Sequence, residues 1–250
     1  HILARRQRQM CIRDRLESLS NEVEKNELDG IRILVSAGPT REPIDPVRFI
    51  SNYSSGKMGY ALAESARNLG ADVELISGPV GIKMPENIKV TSVETSAEML
   101  DAVLGKIPYC DVFISAAAIS DYRPSHKLAE KHKSSDGELV IRLERGEDIL
   151  KLAKESKASL YAVGFSAETD AIYDNAKIKL EKKNIDMIIS NEENHQKGLG
   201  FESDMNEVCI IEKDSMLKIP KNTKKIIADI ILSRIAKNIR GNLIKIKNAR

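Results

Sequence analysis

The chain has 250 residues, the length of one large α/β domain with or without an appendage. Hydrophobic residues make up 42% and charged residues 30%, and 39 Lys and Arg face 37 Asp and Glu. This near balance argues against a dedicated nucleic-acid-binding protein. No apolar run approaches the roughly 18 residues of a transmembrane helix, and the basic opening segment lacks the apolar core of a signal peptide. We therefore expect a cytoplasmic protein without membrane contact.

The three cysteines, Cys11, Cys110 and Cys209, stand far apart and form no CxxC pair. Neither a disulfide framework nor a zinc site is readable from such spacing. Cys110 and Cys209 fall in apolar, strand-like runs, which predicts buried and unreactive thiols in a reducing compartment.

Strand and helix patterns alternate from residue 31 onward. Short apolar runs predict strands at 31–36, 71–77, 87–93, 111–118, 159–165 and 185–190. Helical periodicity predicts helices at 57–69, 96–105 with Ser96 as the cap, 148–156, 174–183 and after Pro220. Alternation of this kind is typical of a mostly parallel sheet with helices on both faces, a Rossmann-like doubly wound α/β fold.

Two segments interrupt this rhythm. Residues 124–145 contain ELVIRLE, whose alternation predicts an edge strand or a hairpin arm, and residues 206–220 resemble a late antiparallel hairpin. The expected organisation is a linker or non-native extension at 1–28, one domain at 29–240, and a loose basic tail at 241–250.

Two glycine-containing loops flank the first predicted helix. Gly38-Pro39-Thr40 follows the first strand, and SSGKMG at 54–59 opens the helix. Backbone N–H groups are expected there, where an anion would meet the positive end of the helix. This arrangement favours a phosphate ligand, although tight turns and close packing explain such glycines equally well. The chain contains neither the Walker pattern nor GxGxxG. The Walker pattern would need Gly at position 51 and Ser or Thr at position 58, where this chain has Ser51 and Met58.

Five further segments occur in the order of a known family: AGPTREPIDPVRFISNYSSGKMGYALAE, ISAAAISDYRP, GFSAET, KLEKKNIDMIISN and GFESDMN. Over about residues 31–235 the chain resembles bacterial, CTP-using phosphopantothenoylcysteine synthetases. The resemblance implies a ligase of coenzyme A biosynthesis that joins 4′-phosphopantothenate to L-cysteine through an acyl-cytidylate. It also implies Mg²⁺ or Mn²⁺ with CTP as co-substrate. Phosphoryl chemistry of this kind depends on positioning and charge neutralisation more than on a protein nucleophile.

The resemblance also assigns site residues. Catalytic roles fall to Asn52, Arg48 and Lys131, with Arg48 reaching the site of a neighbouring subunit. Substrate contacts are implied for Arg48, Asn52, Ala117, Ala118 and Asp121, and metal contacts for Asp121 and Asp148. Nucleotide contacts are implied for Gly38, Ser54, Gly56, Gly59, Ala117, Asp121, Lys131, Glu147, Asp148, Ile149, Leu150, Phe165, Lys179, Lys183 and Asn191.

Each of these residues also has an ordinary structural interpretation. Asn52 and Asp121 suit local turns and caps, and a lysine-rich helix face is usually solvated. The chain also departs from the family in EKHKSS, where lysines are sparser, and in Gly146-Glu147-Asp148, where the family has Asn-Pro-Asp. These departures bear on phosphate affinity and on the ribose contact.

The expected partners follow from the same resemblance. We expect a homodimer, because the Arg48 role requires a second subunit, and a fusion or association with a flavin-dependent phosphopantothenoylcysteine decarboxylase. Two other classes stay open: an NAD(P)-dependent Rossmann reductase, disfavoured by the missing GxGxxG, and a non-catalytic nucleotide-binding module.

Overall fold

The computed structural model describes residues 26–133, 137–168, 172–192 and 203–248. Its strands are β1 Arg32–Ala37, β2 Arg41–Pro43, β3 Phe49–Ser51, β4 Asp72–Ser77, β5 Lys89–Ser92, β6 Val112–Ser115, β7 Tyr122–Pro124, β8 Leu143–Arg145, β9 Tyr161–Glu168, β10 Met187–Glu192, β11 Met205–Ile211 and β12 Met216–Thr223. Its helices are α1 Lys57–Asn68, α2 Ser96–Lys106, α3 Ile149–Ser156, α4 Ile172–Lys183 and α5 Lys224–Asn248.

Eight strands form one sheet in the order β12-β11-β10-β9-β6-β1-β4-β5. The six strands from β10 to β5 in this order are parallel, and β11 and β12 extend the sheet as an antiparallel hairpin. Five of the six residues of β1 are buried, as expected for a strand covered on both faces. The Rossmann-like doubly wound fold with an added hairpin is therefore confirmed.

The helices divide between the two faces of the sheet. α1 and α5 pack against each other on one face, where Leu62 and Ile231 are fully buried. α2, α3 and α4 cover the other face, where Met99, Leu150 and Leu180 join the second core. No helix within the described residues combines the length and apolarity that crossing a bilayer requires.

Helix boundaries differ from the sequence expectation at two ends. α2 is capped by Thr95, whose hydroxyl accepts from the Glu98 backbone N–H while the Glu98 carboxylate reaches back, so Ser96 is not the cap. α5 runs through Asn248, beyond the point where we expected a loose tail to begin.

The described part of the irregular segment 124–145 contains one arm of a short hairpin, but the strand covers only the end of the ELVIRLE pattern, at Leu143–Arg145. β7 pairs with β8 antiparallel, and β2 pairs with β3 in a second small hairpin that the sequence did not reveal. The loop between β7 and β8 is tied to the β2–β3 turn, because the Leu128 N–H donates to the Ile44 carbonyl at 2.8 Å. The two hairpins therefore stand side by side above the sheet.

A buried lysine joins three elements at the amino ends of the parallel strands. Lys154 in α3 is 9% exposed, and its ammonium donates to the Leu160 carbonyl at 2.5 Å and to the Asp186 carboxylate at 2.9 Å. The same carboxylate oxygen accepts the Ala162 N–H at 2.8 Å. One side chain thus fixes α3 to the starts of β9 and β10.

We predict that Lys154→Ala lowers the free energy of unfolding by about 2 to 3 kcal/mol, because it leaves a carboxylate and a carbonyl without their buried donor. Urea denaturation measures the loss. Lys151→Ala in the same helix is the matched control, since its exposed pair with Glu155 at 3.6 Å is expected to contribute less than about 0.5 kcal/mol. Equal losses in the two variants would contradict this role for Lys154.

Candidate functional site

The strand order reverses between β1 and β6, because the chain leaves β1 toward β4 on one side and later adds β6 on the other. Open parallel sheets bind ligands in the crevice at such a reversal, beyond the carboxyl ends of the strands. Here the two loops pair beyond their strands: the Ala118 N–H donates to the Gly38 carbonyl at 2.9 Å, and the Thr40 N–H donates to the Ala118 carbonyl at 3.3 Å. The floor of the crevice is therefore backbone.

The rim of the crevice is held by side chains that bond across these loops. Thr40 is fully buried and its hydroxyl accepts the Ser120 N–H at 3.0 Å. Its carbonyl accepts the Ser51 hydroxyl at 2.7 Å, and the exposed Asn52 amide donates to the Ile119 carbonyl at 3.0 Å. The predicted residues Asn52, Ala117 and Ala118 are thereby brought together at one edge.

The amino end of α1 opens toward this crevice. Its N-cap is Gly56 at φ 76°, and among the described residues no side chain caps this helix end. Ser54 shapes the approach, since its hydroxyl accepts the Gly56 N–H at 3.2 Å. The positive end of the helix suits an anion.

Two lysines make this end of the molecule positive. Lys57 begins α1 and pairs with Asp204 at 2.7 Å, and Lys224 begins α5 with only 8% of its surface exposed. Burial lowers the pKa of Lys224 to about 8, and the charge of Lys57 adds to that effect, while Asp204 opposes it. The Lys57 ammonium in turn holds the pKa of Asp204 below its usual range.

Arg48 makes its contacts within its own chain. Its guanidinium donates to the His132 carbonyl at 2.9 Å and lies 3.5 Å from the buried carboxylate of Asp45. Burial raises the pKa of Asp45, but N–H donors from Val47 and Arg48 and the Arg48 charge outweigh it, so the net pKa is lowered. The role of Arg48 in a neighbouring site stays a prediction.

The predicted metal ligands are engaged elsewhere. One Asp148 oxygen caps α3 by accepting the Lys151 N–H at 3.1 Å, and the other pairs with Lys183 at 2.8 Å. Asp121 is exposed, and its backbone carbonyl accepts the Gly146 N–H at 2.8 Å. The described residues contain no group of three or more metal-ligating side chains. Metal contacts by Asp121 and Asp148 therefore stay a prediction that this geometry does not test.

The other predicted nucleotide contacts spread over the carboxyl edge. Glu147 is exposed. Ile149 and Leu150 begin α3, and their side chains are buried in the core on that face of the sheet. Lys131 is exposed on the loop between β7 and β8. The Lys179 ammonium donates to the Ser166 hydroxyl at 3.2 Å, and Asn191 accepts from Asn206 at 3.3 Å. Phe165 is half-buried in β9 and packs on the core.

Both described cysteines lie away from the crevice. Burial raises the pKa of Cys110 to about 11, and the thiol lies at the amino end of β6, so the prediction of a buried thiol holds there. Cys209 in β11 is only partly buried, which departs from the expectation, and its pKa is also raised by burial.

Sequence reasoning missed one loop of the site. Gly78-Pro79-Val80 follows β4 and lies directly against the Gly38 and Gly56 loops. The signal that points to it is the Gly-Pro pair at the end of a buried strand, which repeats the Gly-Pro that follows β1.

Fold and crevice together define an α/β protein with the amino end of a helix at the switch point of a parallel sheet. Residues 28–239 match the family described as the DNA/pantothenate metabolism flavoprotein C-terminal domain. The chain belongs to this family.

Three relatives illustrate the match. A cysteine/cysteine sulfinic acid decarboxylase of an unknown prokaryotic organism is 44% identical over 214 residues, covering 84% of this chain and 59% of that protein. The coenzyme A biosynthesis bifunctional protein CoaBC of Vibrio vulnificus strain CMCP6 is 41% identical, covering 81% and 51%. A crystal structure of a CoaBC C-terminal domain superposes with a TM-score of 0.75 at 42% identity, covering 87% of this chain and all of that one. The chain thus spans little more than half the length of the two full-length relatives.

The family match corrects the assignment drawn from the sequence. The matched family is described as a flavoprotein, and the full-length relatives are named as a decarboxylase and as a bifunctional protein of coenzyme A biosynthesis. None of these descriptions names a CTP-dependent ligase. The assignments of ligase and synthetase, of CTP with Mg²⁺ or Mn²⁺, and of 4′-phosphopantothenate and L-cysteine as co-substrates are therefore withdrawn.

Lys224 makes stability at this edge depend on pH. Its folded pKa of about 8 lies below the ordinary lysine value, so the folded state holds fewer protons than the unfolded state between about pH 8 and 10.5. We predict that Lys224→Met is more stable than wild type by about 1 to 2 kcal/mol at pH 7. The difference should shrink as the pH rises from 8 to 10.5, when wild-type Lys224 loses its proton.

Chemical denaturation at a series of pH values measures this difference. Lys225→Met controls for a cation in the first turn of α5, because Lys225 is the exposed neighbour of Lys224. A Lys224→Met curve that parallels wild type at every pH would contradict the prediction.

Proposed function

We propose that the crevice between β1 and β6 binds 4′-phosphopantothenoylcysteine, a phosphorylated intermediate of coenzyme A biosynthesis. The observation that carries this proposal is the uncapped amino end of α1, set beside the paired loops at Gly38 and Ala118. The family description names pantothenate metabolism, and the relatives' names give coenzyme A biosynthesis and cysteine decarboxylation. A compound with pantothenoyl, cysteinyl and phosphate groups unites all three.

The phosphate suits the amino end of α1. A helix end presents roughly half a positive charge together with unsatisfied N–H donors, and both stabilise an anion. Lys57 and Lys224 add positive charge beside it, partly offset by Asp204. Gly56 supplies the φ of 76° with which the chain enters this helix end.

The pantothenoyl and cysteinyl parts suit the rim. Ala117 and Ala118 are half-exposed and small, so an extended ligand reaches the backbone of the loop after β6. Asn52 directs its amide nitrogen to the Ile119 carbonyl, which leaves its carbonyl oxygen as the acceptor for a ligand amide. Asp121 is exposed at the far end of the same loop. These residues bind and orient the substrate.

The family description implies a flavin, and the crevice fits only part of one. The N–H donors at α1 suit the phosphate of a flavin mononucleotide. The crevice loops at 38–40, 54–59 and 116–121, however, contain no aromatic residue, cysteine or histidine. Tyr53, exposed between Asn52 and Ser54, is an aromatic side chain at the rim. The loops themselves offer no group for proton or thiol chemistry beside a flavin ring, and we derive no step through a flavin. We assign flavin chemistry to the part of the bifunctional relatives that this chain does not cover.

Calorimetric titration tests the ligand. We predict that 4′-phosphopantothenoylcysteine binds roughly 10 to 100 times more tightly than pantothenoylcysteine, because charge-assisted hydrogen bonds contribute about 1.5 to 3 kcal/mol. Lys57→Ala should reduce that preference, and Lys151→Ala, an exposed lysine of α3, should leave it unchanged. Equal affinity for the phosphorylated and dephosphorylated compounds would overturn the proposal.

Flavin mononucleotide is the competing ligand in the same titration. If the purified chain carries a flavin absorption spectrum, or binds the flavin in preference to 4′-phosphopantothenoylcysteine, the crevice is a flavin site and our assignment fails. A colourless protein that binds the pantothenoyl compound supports it.

We also propose that the chain forms a homodimer through its two small hairpins, as one half of a fused bifunctional protein. β2 packs against β7, and the hairpins expose a group of large apolar side chains: Val47, Phe49, Tyr53, Tyr122, Val140 and Leu143. Tyr53 is 85% exposed and Val140 81%. Apolar groups concentrated on one surface favour a second copy as their cover, since a twofold axis places the same patch on both partners.

Light scattering of the purified chain tests this interface. We expect a dimer for wild type and a monomer for Phe49→Glu, because a buried unpaired carboxylate opposes association. Met216→Glu on β12 is the control, since Met216 is exposed outside the two hairpins. A monomeric wild-type chain, or a dimer unchanged by Phe49→Glu, would exclude these hairpins as the interface.

A further inference from the structure

We infer that Val80 is a positioning residue that holds the two anion-binding loops in register. It lies in the loop after β4, which contributes no residue to the predicted site. A single methyl group of Val80, Cγ1, lies 2.9 Å from the position a Cβ would occupy on Gly38 and 2.7 Å from the corresponding position on Gly56. One side chain therefore fills the space that both glycines leave empty.

The two glycines share an unusual backbone conformation. Gly38 has φ +75° and Gly56 has φ +76°, values that residues with a side chain rarely adopt. A Cβ on Gly56 would also lie 3.5 Å from the Gly38 backbone. The loops are thus in contact with each other, and Val80 packs into the angle between them.

The loop that carries Val80 is itself fixed to the first crevice loop. The Gly78 N–H donates to the Ala37 carbonyl at 2.9 Å, and a Cβ on Gly78 would stand 1.8 Å from the Pro39 carbonyl oxygen. Val80 is partly buried against the α1–α5 core. Because a β-branched side chain has few rotamers, its methyl group is a rigid spacer between the glycine loops.

Open space lies on the other side of Val80. A groove of about 490 Å³ is lined there by Arg41, Ile82, Met84, Glu94 and Val80 itself. Val80 is therefore the wall between this groove and the glycine loops. Shortening Val80 would extend this open space toward the glycine loops, so both loops should gain freedom.

Hydrogen–deuterium exchange tests the positioning role without any ligand. In Val80→Ala, backbone amides in residues 38–40 and 54–59 should exchange about tenfold faster than in wild type. Val80→Thr, which keeps the branched shape, should restore protection. Ile82→Val is the control, since it removes a methyl group from the same loop at a residue that does not contact the glycines. Unchanged exchange at 38–40 and 54–59 in Val80→Ala would overturn the inference.

A second measurement rests on the proposed function. The preference for 4′-phosphopantothenoylcysteine over pantothenoylcysteine should fall about tenfold in Val80→Ala and return in Val80→Thr. If wild type shows no phosphate preference, the proposed ligand fails while the exchange experiment still decides the role of Val80. If wild type shows the preference and Val80→Ala keeps it in full, Val80 only fills space and the inference fails.

Discussion

The site depends on the close approach of backbone segments beyond the ends of β1, β4 and β6. The Gly38 carbonyl accepts the Ala118 N–H across the crevice. A Cβ on Gly56 would collide with the Val80 side chain, and a Cβ on Gly78 would collide with the Pro39 carbonyl. Segments so close leave no room for side chains at the contact points. The N–H groups of Gly78 and Ala118 instead hold the loops together by donating to the Ala37 and Gly38 carbonyls. Substitution at these glycines would disturb the loops and the ligand together.

The strands and helices of the main sheet could be predicted from the sequence, because apolar residues follow a characteristic spacing in each kind of element. Buried parallel strands appear as continuous apolar runs, and helices such as α1 show an apolar face every three to four residues. The small hairpin of β2 and β3 could not be read in this way. Its strands have three residues each and include Pro43, which is too short for alternation to show and atypical of a strand.

Side-chain pairing is the part of the predicted site that the sequence could not show. Asp148 and Lys183 were both assigned to a ligand, yet they bond to each other at 2.8 Å from α3 and α4. The sequence shows two charged residues 35 positions apart and gives no sign of their contact. Asn52, Ala117 and Ala118 were grouped at one site and do share the crevice rim. Ala117 and Ala118 follow β6, whose carboxyl end the α/β pattern places at the ligand-binding edge, whereas Asn52 follows β3 of the small hairpin and was placed by resemblance alone. Val80 was missed because its role comes from shape alone.

The chemical groups at the crevice differ from those that redox or thiol chemistry would need. The crevice offers N–H donors, hydroxyls, amides and ammonium groups, which suit the binding and orientation of an anion. The described thiols lie elsewhere: Cys110 is buried at the opposite end of β6, and Cys209 is in β11. A raised pKa keeps the Cys110 thiol protonated at neutral pH, and a protonated thiol is a poor nucleophile. The bifunctional relatives are about twice as long as the region this chain matches, so their remaining half has room for a cofactor. Under the proposed function, this chain recognises the phosphorylated substrate, and redox chemistry belongs to the part of the bifunctional relatives that it does not match.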